Sequence, residues 1–206
     1  MTGKIQIWNM ALGFVGTRTV ASENENCAEA VQCALYWNAA RRQALRDFPY
    51  NFAQRRAFLA ETDLPEEYAC DWAHAYALPA DCLKAHGLRP LTRGGGSPAE
   101  AQPLPFALGA AGKGEKLLFC NVSPALLAYT ADVDDAGLFD DLFAGMLARK
   151  LACMIAAPLL KNNSSRVHEL SQMYAAALPD AMRADASERK CIPPADSWLT
   201  ARQEFA

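Results

Sequence analysis

The chain has 206 residues, 51% of them hydrophobic, with 20 Lys and Arg against 23 Asp and Glu and a formal charge of −3. That length suffices for one large or two small domains burying roughly 70% of the unfolded surface, so a core needs no metal or disulfide merely to form. The acidic balance argues against a protein that wraps nucleic acid by neutralising phosphates, and seven cysteines without a Cys-x-x-Cys pair fit a reducing compartment better than a secreted disulfide scaffold.

The opening residues MTGKIQIW lack the basic segment, long apolar run and cleavage site of a secretory signal. NMALGFVGTRTVAS follows, with Gly13 and Gly16 three apart. Gly is the usual C-terminal stop of a helix, so this stretch reads as a corner joining a short first helix to a second. Ser22 followed by Glu25 matches a capping box and predicts a helix over residues 23–48, with Glu23, Glu25 and Glu29 near its positive end, Arg41, Arg42 and Arg46 near its negative end and Pro49 stopping it. Two apolar stripes run along it. Val31, Leu35, Ala39 and Arg42 mark one, and Cys33, Trp37, Ala40 and Ala44 the other, so the helix is expected to lie between neighbours.

Residues 50–130 lose the helical period and read as strands and turns. Trp72, His74, Tyr76 and Leu78 alternate with small or polar residues to give one strand, residues 116–121 give another, and the glycine-rich loop over residues 94–98 lies between them. A long core helix is expected after the carboxylates Asp132, Asp134 and Asp135, with Leu138, Phe139, Leu142, Phe143, Met146, Leu147, Leu151, Met154 and Ile155 at helical spacing, kinked or ended by Pro158. Its longest apolar run, residues 151–160, is half of what a bilayer requires, which leads to the expectation of a soluble, intracellular chain without membrane contact. Asn162, Asn163 and Ser164 can start a last helix, bent at Pro179. The tail, DSWLTARQEF, could form a short amphipathic helix with Trp198, Leu199 and Phe205 on one side, too short to hold in water without a surface to lie on.

Motifs with chemistry are sparse. Gly109 to Gly114 departs from a P-loop, which needs Gly at Ala107 and Ser or Thr at Gly114 to hold magnesium. Gly13-Phe-Val-Gly16 has the spacing of a KH-module loop, but Arg18 is the one nearby cation. Cys70-x3-His74 and Cys82-x3-His86 have the ligand types of a structural zinc site. Were Cys70 and His74 on one strand, however, ~13 Å would separate them and one ion could not reach both. The carboxylates Asp132, Asp134, Asp135, Asp140 and Asp141 could bind a divalent ion if they converged, but acidic helix starts are expected anyway. No Gly-x-Ser-x-Gly or His-Glu-x-x-His motif occurs, and the chain is not read as an enzyme; no cofactor is expected.

Four stretches taken together carry a resemblance: N-x-ALG-x-x-G-x-x-x-V-x-S from Asn9, RRQALRDFPYNFAQRRAFL from Arg41, YALPADCLK from Tyr76, and YTADVDDAGLFDDLFAGMLARKLACMIAAPL from Tyr129. With DASE from Asp185 and PPADSWLTAR from Pro193, their order resembles the head-to-tail adaptor family of short-tailed phages and prophages, the tail tubular protein A-like family. Tyr50 departs from the pattern, standing where such sequences often carry Trp.

The resemblance implies a virion structural protein at the head–tail junction, present in the host cytoplasm during assembly. It implies self-association into a closed ring of about twelve copies. The ring would bind the portal protein on one side and the tail (nozzle) protein on the other, and double-stranded DNA would pass transiently through its lumen. The expected fold class is α+β, mainly α: an antiparallel helical bundle of residues 1–48 and 132–192, an inserted small β-rich region at 49–131 and a C-terminal arm at 193–206. Trp198, Leu199 and Phe205 are the expected portal or subunit interface. Two alternatives stay open: a zinc-bearing nucleic-acid-binding module on Cys70, His74, Cys82 and His86, and a stopper that closes the channel of the same connector.

Overall fold

The computed structural model describes residues 3–90, 104–110, 114–160 and 163–188. The chain divides into two units, one comprising Met1–Gln54 and Thr130–Glu188, the other containing Arg55–Tyr129.

Among the described residues the first unit holds four α-helices: α1 (Lys4–Val15), α2 (Ala28–Asp47), α3 (Asp141–Leu159) and α4 (Ser164–Ser187). The organising element is α3, on which α1, α2 and α4 all pack. Ten of its side chains are buried, from Phe143 to Ala156, which makes it apolar on most of its circumference. By length and composition α3 could cross a membrane; more than half of that window is buried within the chain, as in a core helix. The Asp140 carboxylate caps it by accepting from Leu142 N–H at 2.9 Å. Pro158 lies inside its last turn, and the helix closes with Leu160 N–H donating to Ala156 at 2.8 Å. Asn163 caps α4, which continues through Pro179.

An aromatic cluster fills the space between α3 and the turn after α2. Phe143 sits 4.7 Å from Tyr50, 5.0 Å from Phe52 and 5.0 Å from Phe139 between ring centroids, mostly edge to face, the arrangement that ring quadrupoles favour. Asp185 ties the end of α4 to the same turn: Asn51 donates its N–H to the carboxylate and its side-chain amide to the Asp185 carbonyl, both at 2.8 Å.

The second unit is built on β1 (Gln54–Phe58), β2 (Ala60–Thr62), β3 (His74–Ala77), β4 (Cys82–Pro90), β5 (Ala107–Ala110), β6 (Lys116–Cys120) and β7 (Ala125–Ala131). They form two antiparallel sheets, ordered β1-β7-β4 and β2-β3-β6-β5. Ala75 lies opposite Phe119 and Tyr76 opposite Leu118 across β3 and β6. Ala75, Leu117 and Phe119 form a buried cluster covered by Leu64, Tyr68, Trp72 and Ala107. Gly109 is required there, because a Cβ at this position would meet the Phe119 ring at 2.7 Å.

Three expectations need correction. The fold is not a mainly α helical bundle with a small β insertion: about 50% of the described residues are helical and 23% are strand, an α+β mixture with two sheets. The reason lies in β1, β2, β4 and β7, none of which carries a clean period-2 alternation; β2 is exposed throughout, while β7 is buried at five of its seven positions. The second helix begins at Ala28 rather than residue 23, because the Cys27 sulfur caps it and Glu25 instead accepts from Ala21 N–H at 2.8 Å. The strand expected from Trp72 to Leu78 contracts to β3. Ala73 N–H goes to the Asn121 side chain at 2.8 Å, and Trp72 N–H to Tyr68 in a turn, leaving neither for a ladder.

Candidate interaction surface

The corner in NMALGFVGTRTVAS has a definite construction. Gly16 ends α1 at φ 86°, and Gly16 N–H and Thr17 N–H return to the Gly13 and Leu12 carbonyls, a Schellman-type closure that favours glycine. Gly13 lies inside the helix with open space where a Cβ would stand, so it carries no such requirement. Asn9 then pins the returning chain: Val20 N–H donates to its carboxamide oxygen at 2.8 Å, and its amide donates to the Val20 carbonyl at 3.0 Å. Val20 is buried. Ion pairs hold the segment leading into α2, Lys4 with Glu23 at 2.5 Å and Arg18 with both Glu25 and Glu29. Trp8 of α1 meets Trp37 of α2 edge to face at 6.5 Å, so the two helices are packed as well as tethered.

This scaffold fixes the loop of residues 23–26 against the start of α2. Of the two apolar stripes on that helix, the one with Cys33, Trp37, Ala40 and Ala44 is buried. The other is uncovered, with Val31 55% and Leu35 66% exposed. Val31, Ala34 and Leu35 floor an open groove of about 710 Å³ whose rim carries Glu23, Asn24, Glu25 and Asn26. An apolar floor with a polar rim is the composition of a protein-contact surface, and no group in it is a nucleophile paired with a base.

Further along the same helix the chemistry becomes ionic. Arg41, buried, donates to Asp132 and to the Val133 carbonyl at 2.5 Å each, with Asp134 at 3.3 Å from its Nε; Arg42 reaches Asp132 at 2.8 Å. Two guanidiniums thus meet two carboxylates, so the recess they line with Asn38 is self-neutralised. Asp135 and Asp140 are engaged as backbone caps. The expected acidic helix start is therefore spent on ion pairs and caps.

The four residues of the zinc reading are separated. Cys70 is exposed in the turn before β3, His74 opens β3 in one sheet, and Cys82 and His86 lie on β4 in the other. Among the described residues no group of three or more His, Cys, Asp or Glu side chains can hold a metal ion. His74 Nδ1 instead pairs with Glu61 at 2.7 Å, and Ser123 donates to the other oxygen of that carboxylate at 3.3 Å. The order is hydroxyl, carboxylate, imidazole. The carboxylate stands between the other two, so this contact does not activate Ser123. Sequence reading missed this trio because 62 residues separate Glu61 from Ser123.

An ionic cluster centred on the buried Lys150 was likewise unforeseen. Lys150 of α3 donates to Asp47 at 2.8 Å and contacts the Tyr174 hydroxyl at 3.0 Å, while that hydroxyl donates to Asp47 at 2.7 Å. Burial, reinforced by Asp47, pushes the Tyr174 phenol well above its ordinary range. The three groups satisfy one another and knit α2, α3 and α4. The six described cysteines are free thiols. Trp198, Leu199 and Phe205, the loop over residues 94–98, and Gly112 with Lys113 lie outside the described residues.

No protein-family model matches the chain. No curated protein matches it either.

Proposed function

We propose that this chain is a head-to-tail connector of a short-tailed phage or prophage, a structural protein that forms a ring between portal and tail and lets duplex DNA pass. The observation that carries the reading is where the residues of the resemblance sit. Asn9 and Gly16 build the first corner, Arg41 holds Asp132, Asp185 anchors the turn at Asn51, and Phe139 and Phe143 fill the aromatic cluster. All of them build a scaffold. What that scaffold leaves open is an apolar stripe on α2, the kind of surface that a repeating contact around a closed circle consumes. A formal charge of −3 suits a channel that must not grip phosphates.

In this proposal Trp198, Leu199 and Phe205 anchor the tail to the portal or a neighbouring subunit; burying such side chains is worth ~1.5–3 kcal/mol each. The test is cryo-electron microscopy of the protein mixed with its own portal. A ring seated beneath the portal is expected, lost on truncation after Ile192 while the truncated chain stays folded. Particles that retain their genome and attach tails without the protein would refute the reading.

A further inference from the structure

Four exposed apolar patches stand out among the described residues: Val31 with Leu35 on α2, Leu138 with Leu142 around the start of α3, Phe58 on β1 and Leu108 on β5. Their charges differ. Glu23 and Glu25 rim the α2 groove, and Asp140 and Asp141 stand between Leu138 and Leu142 in sequence. Leu108 shares β5 with Ala107, Gly109 and Ala110 alone. Phe58, 63% exposed, follows Arg55 and Arg56, both exposed, and Arg56 shares its face of the strand because side chains two apart point the same way. β1 is an edge strand.

Joining the α2 groove to itself in a symmetric pair would set carboxylates against carboxylates, an arrangement that suppresses association. Lys4 and Arg18 offset two of the three carboxylates Glu23, Glu25 and Glu29, leaving this region negative by one charge. Lys4 and Arg18 at the α2 groove are spent on its own carboxylates, and the cation beside Leu108 is Lys116 on the neighbouring strand; the Phe58 strip carries two arginines on its own strand and projects an aromatic ring. The open α2 groove, about 710 Å³, has room for that ring, and its Glu23 is committed only to a solvent-exposed pair with Lys4.

We infer that Phe58 of one copy seats in the Val31–Ala34–Leu35 groove of a second copy, with Arg56 directed at the Glu23 and Glu25 rim. The contact is heterologous. Each copy in a chain of contacts still offers one groove and one strip, so association propagates until it closes or is capped. This gives the ring reading its subunit contact and rests on that reading for its biological use.

The experiment is sedimentation velocity on the full chain over a range of concentrations, with Phe58→Glu, Leu35→Glu and an equimolar mixture of the two. Both positions are exposed, and circular dichroism checks that each variant remains folded. The wild type is expected to associate reversibly, each variant to lose at least tenfold in association, and the mixture to form a 1:1 dimer and nothing larger, because only one intact groove can meet one intact strip. A wild type monomeric at every concentration, a variant that associates like the wild type, or a mixture that does not pair would overturn the inference. Failure here leaves open a ring formed only on the portal, whereas a working pair that never joins a portal would sink the connector reading and keep the contact.

Discussion

Replacing Asn9 with Leu keeps the approximate volume of the side chain and removes both of its hydrogen bonds to Val20, at 2.8 and 3.0 Å. Each such bond contributes ~1 kcal/mol net, but the larger effect is on the groups left behind. Val20 is only 3% exposed, so its N–H and C=O would stay shielded from water without partners. An unsatisfied buried group costs ~1–3 kcal/mol, and allowing for relaxation of the adjoining exposed loop the variant should lose about 2–3 kcal/mol. Urea unfolding measures the loss, and amide exchange at Val20 locates it. Asn9→Asp serves as a control, since it retains an acceptor for Val20 N–H while opposing the Val20 carbonyl; it should restore the amide's protection without restoring full stability. A loss below ~0.5 kcal/mol, or unchanged exchange at Val20 in Asn9→Leu, would refute the claim that this side chain holds the corner.

Other substitutions separate the roles further. Gly16→Val should cost ~1 kcal/mol or more because of its positive φ, while Gly13→Ala, in open helix, should be neutral or stabilising by up to ~1 kcal/mol; equal effects in thermal unfolding would contradict the Schellman closure. Gly109→Ala must displace the buried Phe119 ring and should destabilise the second unit by ~1–3 kcal/mol, seen as faster amide exchange along β6. Lys150→Met preserves the stem but strips Asp47 of its cation, and with Asp47 partly exposed the expected loss is ~1–3 kcal/mol; partial recovery on adding Asp47→Asn would identify the charge as the cause. Burial, followed by electrostatic interaction with Cys27 and Glu29, pushes the Cys33 thiol up to about 12 from an ordinary value near 9. The unfolded chain therefore releases this proton first, so the thiol's contribution is complete below pH 9 and is lost as pH rises from 9 to 12. A Cys33→Ala variant should show a shallower decline of stability across that window, and an identical slope would count against a buried neutral thiol.

How much of this was legible beforehand varies with the physical signal. The helices α2, α3 and α4 follow from apolar periodicity, with Asp and Asn caps on α3 and α4, signals that act locally. The start of α2 was misread because a cysteine sulfur is a weak capping signal, whereas Ser22 and Glu25 offered a strong one that the chain uses for a turn. Strand β6 was readable as an apolar run, but β4 mixes exposed and half-buried residues in a strand closed by Pro90, and nothing in such a pattern announces pairing with β7. At the candidate surface, both stripes of α2 could be seen in the spacing. Periodicity identifies faces, however, and cannot say which of them finds a partner within the fold. The Lys150 cluster and the Glu61 trio depend on residues far apart in sequence, so only the folded chain brings them into view.

Because the first unit is assembled from two stretches separated in sequence, translation imposes an order on events. Its first two helices emerge well before α3, on which both pack, and the intervening Arg55–Tyr129 segment takes about 4–15 s to synthesise at typical elongation rates. During that interval the faces that α1 and α2 present to α3 have no such partner. The strands of the inserted sheets are all synthesised before α3 and α4, which complete the host unit.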